Sequence, residues 1–131
     1  MIFWPIFGKI QASNRVNMQI KIFEKPTDWA EIKKLAEDSY GEMVKAVADI
    51  KLGILAIGGE MHADAEQLLL EQGSRQDDLW GFNIYPDAEE GKKLEYVSFI
   101  NIRPKLGNRS QEIADAGIKD IIKLLVDKLI V

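Results

Sequence analysis

The chain has no cysteine among its 131 residues and a single histidine. The first absence excludes disulfides, thiolate metal sites and a cysteine nucleophile. The second leaves a four-ligand zinc site of the usual kind short of ligands within one chain. No apolar run reaches the roughly 20 residues that a bilayer-spanning helix needs. Positive charge is not in excess either: 17 Lys and Arg stand against 21 Asp and Glu, a formal net charge of −4. That balance argues against broad electrostatic binding to nucleic acid or to an anionic lipid surface. No cofactor is expected. What is present is ordinary for a soluble globular protein, with 47% apolar and 29% charged residues, and the length suits one domain with one core.

Residues 1–17 stand apart. Ile2, Phe3, Trp4, Ile6, Phe7 and Ile10 are apolar, yet the basic segment and small-residue cleavage site of a secretory signal are missing. Met18 opens a clean strand pattern and reads as an alternative start. The expected division is therefore an extension or N-terminal arm at 1–17 and a single α+β domain at 18–131. An ordered arm of this composition needs cover from an exposed sheet edge or a neighbouring subunit, which makes a homodimer an expectation.

Hydrophobic periodicity lays out the rest. Met18 to Phe23 alternates as a strand. Asp28 and Glu31 have capping-box-like spacing ahead of a helix whose apolar stripe is Trp29, Ile32, Leu35 and Ala36, closed by Gly41. Val44 to Ile50 and Ile54 to Ile57 read as a hairpin around Lys51-Leu52-Gly53. A second helix runs from about Met61 to Gln72, with Ala65, Leu68, Leu69 and Gln72 on its buried side. Leu79 to Tyr85 and Leu94 to Arg103 read as two more strands, with Trp80, Phe82 and Ile84 facing the core. A last helix spans about Asp115 to Ile130, its apolar face formed by Ile118, Ile121, Ile122, Leu125 and Leu129. The order β-α-β-β-α-β-β-α predicts a small α+β sandwich, an antiparallel or mixed sheet with helices packed on one face.

The segment Gly58-Gly59-Glu60-Met61-His62-Ala63-Asp64 is the first candidate site. It places the sole imidazole between two carboxylates at a strand-to-helix junction. Glu60 or Asp64 could orient His62 as a general base, and Glu42, Glu60, His62 and Asp64 together could hold a hard divalent cation. The plainer alternative is that the acids complement the helix dipole while His62 caps or packs. Neither the His-x-Glu pattern of zinc deaminases nor the His-x-His pattern of isopeptidase-type sites is met. The second candidate is Arg103, Asn108, Arg109 and Ser110, a compact donor set around the flexible Gly107 that suits an anion. Its plainer alternative is that the arginines pair with Asp49, Asp77 or Asp78 while Asn108 and Ser110 cap a turn. A crossover from the Gly58 strand through the helix to the Leu79 strand would put His62 and the arginine set at opposite poles, a helix length of roughly 18 Å apart.

The strings GEMHADAEQLLLEQGS, LWGFNIYP and INIRPKLGNRS resemble a family of small prokaryotic proteins known only as a domain of unknown function. The likeness runs from about Met18 to Ile130. Its pattern maps onto Glu60, His62, Ala63, Asp64 and Glu66, then onto Arg103, Pro104, Gly107, Asn108, Arg109 and Ser110. Residues 1–17 depart from it. The resemblance implies a stand-alone cytoplasmic domain of about this size and brings no assigned activity.

The scarcity of titratable groups and the two separated polar poles point to a non-catalytic binding or interaction module. The alternatives are a metal-assisted hydrolase built on Glu60, His62 and Asp64, and an anion or phosphate-ligand sensor built on Arg103 and Arg109.

Overall fold

A computed structural model describes residues 19–131; the expectations for residues 1–17 lie outside that range. Strand β1 (Ile20–Phe23) leads to helix α1 (Trp29–Glu37), then β2 (Val44–Asp49) and β3 (Ile54–Gly58). Helix α2 (His62–Glu71), β4 (Leu79–Ile84), the two-residue β5 (Leu94–Glu95) and helix α3 (Ala116–Leu129) complete the order. The five strands form one sheet in the order β1-β3-β2-β4-β5, with every neighbouring pair antiparallel. The chain is thus α+β, as its periodicity predicts.

Local signals explain the ends of these elements. The Asp28 carboxylate accepts from the Glu31 N–H at 2.9 Å and caps α1. The Gly41 N–H returns to the Ala36 carbonyl, in a positive-φ conformation that glycine adopts without strain. Between β2 and β3 the buried Asp49 carboxylate accepts from the N–H groups of Lys51 and Leu52, and its other oxygen takes the Ser74 hydroxyl. Asp49 is therefore occupied by its own turn and Ser74, and makes no ion pair with Arg103 or Arg109.

Helix placement differs from the expected one-sided arrangement. Helices α1 and α3 cover one face, where Ile32, Leu35, Ile122 and Leu129 pack on Ala46, Ala48, Leu55, Ile57, Trp80 and Phe82. Helix α2 covers the other, where Ala65 and Leu69 meet Val47, Ala56 and Leu79. The reason lies in the central strands. Besides the apolar face of Ala46, Leu55 and Phe82, Val47, Ala56 and Leu79 put an apolar patch on the second face of β2, β3 and β4, which also needs cover.

The second difference is at β5. The expected strand from Leu94 to Arg103 pairs with β4 only through Glu95 and Leu94. Beyond that the chain leaves the sheet through 3-10 turns at Phe99–Asn101 and Pro104–Leu106. Gly81 of β4 explains the departure. A Cβ there would lie 2.6 Å from Ser98 Cβ, so only glycine admits this close approach. The Asn101 side chain then takes the place of a strand neighbour: its Oδ1 accepts from the Gly81 N–H at 2.8 Å and its Nδ2 donates to the Gly81 carbonyl at 2.9 Å.

Candidate functional site

His62 is the first residue of α2 and is 8% exposed. Its Nε2 lies 2.9 Å from the Phe82 carbonyl of β4. A carbonyl only accepts, so Nε2 carries the proton and the ring is fixed in that tautomer. Burial pushes the imidazole pKa below its usual 6.5 and Lys45 acts in the same direction; the Phe82 carbonyl and the Asn83 amide pull partly against them. The ring is neutral near pH 7 and ties the start of α2 to the sheet.

Of the acids beside it, Asp64 is engaged by the backbone of its own helix. Asp64 Oδ2 accepts from the Met61 N–H at 3.2 Å, closing the first turn of α2. The Glu60 carbonyl accepts from the Tyr40 hydroxyl. Among the described residues no group of three His, Asp or Glu side chains is placed to hold a metal ion. Glu42, Glu60, His62 and Asp64 are therefore not assembled into the expected cation set.

Two residues that sequence reasoning passed over, Lys45 and Asn83, act on His62 instead, with Glu95 behind Asn83. Lys45, Asn83 and Glu95 stand in register across β2, β4 and β5. Asn83 Nδ2 donates to Glu95 Oε1 at 2.8 Å, and the Tyr85 hydroxyl donates to the same oxygen at 3.2 Å. Burial and the Glu95 charge raise the Tyr85 pKa, so this phenol stays a donor. Asn83 Oδ1 is buried without a hydrogen-bond partner among the described residues. The available signal was alternation: Lys45 and Asn83 are the polar residues on the sheet face opposite Ala46 and Phe82.

Arg103, Asn108, Arg109 and Ser110 do not converge into one donor set, and Arg103 lines the same groove as Gln76 and Asp77 beyond the end of α2. Arg103 Nη2 donates to Glu66 Oε2 at 3.0 Å, and Glu66 is one helical turn beyond His62 on α2. The early end of β5 brings this loop over α2. The guanidinium carbon lies 5.1 Å from the centre of the Trp80 ring, and Nη1 is buried with no hydrogen-bond partner among the described residues. Burial lowers the Arg103 pKa, while Glu66 and Asp77 oppose that shift. Arg103 is thus held inward by an acid and an aromatic ring.

Asn108 is not available to a ligand. Its Nδ2 donates to the carbonyls of Asn101, Ser110 and Glu112, and its Oδ1 accepts from the Ala114 N–H at 2.8 Å. The Ser110 hydroxyl donates to the Glu112 carbonyl. Arg109 is exposed. Asn101 and Asn108 together pin the 99–110 segment from within.

That pinned loop presents apolar side chains outward. Phe99 is 74% exposed, Ile102 43% and Leu106 42%. They line a groove of about 440 Å³ between two banks. One bank is Glu66 of α2 with Gln76 and Asp77 of the following turn; the other is the 99–106 loop with Arg103 and Lys105. In INIRPKLGNRS the polar residues draw a ligand-binding reading, whereas Ile102 and Leu106 of the same string carry the exposed apolar surface.

The model of the family described as "Protein of unknown function (DUF5674)" matches residues 21–129, and the chain belongs to that family. No curated protein and no solved structure matches the chain. No helix among the described residues is long and apolar enough to cross a membrane.

Proposed function

We propose that this chain is a non-catalytic protein-interaction module whose binding face is the groove beside the 99–106 loop. One observation carries the reading: Phe99, Ile102 and Leu106 are held in water by a loop whose backbone is fixed by two buried asparagines. Large apolar side chains that gather on a surface mark contact sites. A rigid platform loses little conformational freedom on binding, which favours affinity. A cytoplasmic setting, implied by the family resemblance, accompanies this reading.

The hydrolase alternative has less support. It needs a cation or a free base at His62, whereas the imidazole there is buried and Asp64 serves the helix end. An anion sensor on Arg103 and Arg109 is disfavoured because Glu66 already neutralises the inner guanidinium. Selection of random linear peptides displayed on phage tests the reading. Wild-type protein should retain a set of peptides that Phe99→Asp retains at least about tenfold less well. Retained peptides indifferent to both Phe99→Asp and Leu106→Asp would overturn it.

A further inference from the structure

Helix α3 is apolar on the side that faces water as well as on the side that faces the sheet. Ile122, Leu125, Val126 and Leu129 pack into the core. On the opposite side Ile121 is 43% exposed and Leu124 68%. At about 100° per residue, Gly117, Asp120, Ile121, Leu124, Asp127 and Lys128 fall within an arc of about 120°, and all six are exposed. A helix with one covered face carries polar residues on the other, so two large aliphatic side chains on the outer stripe call for a partner. Helix α3 lies across the sheet from α2, and none of its residues lines the groove.

The charges on the stripe specify that partner. Lys123 and Asp127 neutralise each other at 2.7 Å. Asp120 remains one turn before Leu124 and Lys128 one turn after it, both exposed and neither in an ion pair among the described residues. The Asp120 charge bears on the Tyr96 phenol, which does not neutralise it. Acid, aliphatic centre and base thus follow one another along the helix at even spacing. A second α3 laid antiparallel about Leu124 brings each Asp120 to the Lys128 of the other copy, whereas a parallel one sets like charges together. A two-fold interface requires this kind of self-complementarity. We propose that α3 is the contact surface of a homodimer, packed antiparallel on α3 of a second copy, with Leu124 at the two-fold axis and an Asp120–Lys128 pair on each side of it. Helices of 14 residues offer a narrow contact, so association is weak and depends on concentration.

Sedimentation equilibrium of the full chain between about 10 µM and 1 mM, in low salt, tests this. Wild type should form dimers. Leu124→Glu, at an exposed position and checked for unchanged thermal unfolding, should weaken association at least about tenfold. Asp120→Lys and Lys128→Glu each set like charges opposite one another, and each alone should weaken it about tenfold. An equimolar mixture of these two variants places opposite charges at both contacts again and should recover wild-type association. A wild-type monomer throughout this range overturns the inference. So does a dimer indifferent to Leu124→Glu, including one that Phe99→Asp abolishes. A Leu124-dependent dimer in which the mixture associates no better than either variant overturns it too, because the helices are then not antiparallel.

Discussion

The His62 end and the 99–110 loop look alike in sequence and differ in what they leave exposed. Each gathers polar residues around glycine, and each invites a catalytic or anion-binding reading. At the His62 end the imidazole turns inward to a strand carbonyl, and the exposed Asp64 carboxylate accepts from the N–H of Met61 at the helix start. In the loop Asn101, Asn108 and Arg103 also turn inward, yet three apolar side chains turn out. Polar motif residues here build the scaffold in both places. Met61 beside His62 is exposed too, whereas the loop gathers three such side chains along one groove.

The largest expected effect is at Asn108. Asn108→Ala deprives the Ala114 N–H and three carbonyls of their partner, and should destabilise the domain by about 4 kcal/mol at roughly 1 kcal/mol per hydrogen bond. Urea denaturation reads this directly. Exposed Arg109→Ala should stay within about 0.5 kcal/mol, and equal losses at both positions would erase the difference between inward and outward members of the motif. Next is Gly81→Ala, whose Cβ would meet Ser98 Cβ at 2.6 Å; overpacking of this kind costs about 2 kcal/mol. Adding Ser98→Gly removes the nearest obstructing atoms and should recover part of the loss.

A smaller effect concerns acid. The folded-state pKa of His62 lies below its unfolded value of 6.5. Between the two pKa values the unfolded chain binds the extra proton. Stability is therefore full above about pH 6.5, falls as pH drops toward the folded pKa and levels off below it. The groups facing the ring are Lys45, Asn83 and, through Asn83, Glu95. His62→Gln keeps a donor for the Phe82 carbonyl and should flatten this slope in thermal unfolding between about pH 7 and pH 5.5. A slope as steep in the variant would place the titrating group elsewhere. Smallest of all, Phe99→Ala should change stability by less than about 0.5 kcal/mol, since the ring is largely in water.

The parts legible in the sequence were those set by nearest neighbours. Alternation marked Ile20 and Ile22, the Asp28 cap announced α1, and Lys51-Leu52-Gly53 gave the β2–β3 turn. Long-range decisions were less accessible. Val47, Ala56 and Leu79 already signalled a second covered face, yet the eye follows the stronger stripe of Ala46, Leu55 and Phe82. The early end of β5 depends on Asn101 reaching Gly81, a pairing across 20 residues that no local pattern contains. The lone glycine inside β4 was the one available hint. At the candidate site, the histidine drew attention because titratable groups carry chemistry, whereas exposure of Phe99 becomes visible only once the neighbouring turns are placed.

One side-by-side experiment bears most directly on the division between scaffold and binding face. Peptides selected on the wild-type chain are titrated against His62→Gln and Phe99→Asp, with both variants verified as folded. Unchanged affinity for His62→Gln and a loss of about tenfold or more for Phe99→Asp is the predicted result. Loss with His62→Gln and none with Phe99→Asp would contradict it and move the functional site to the start of α2.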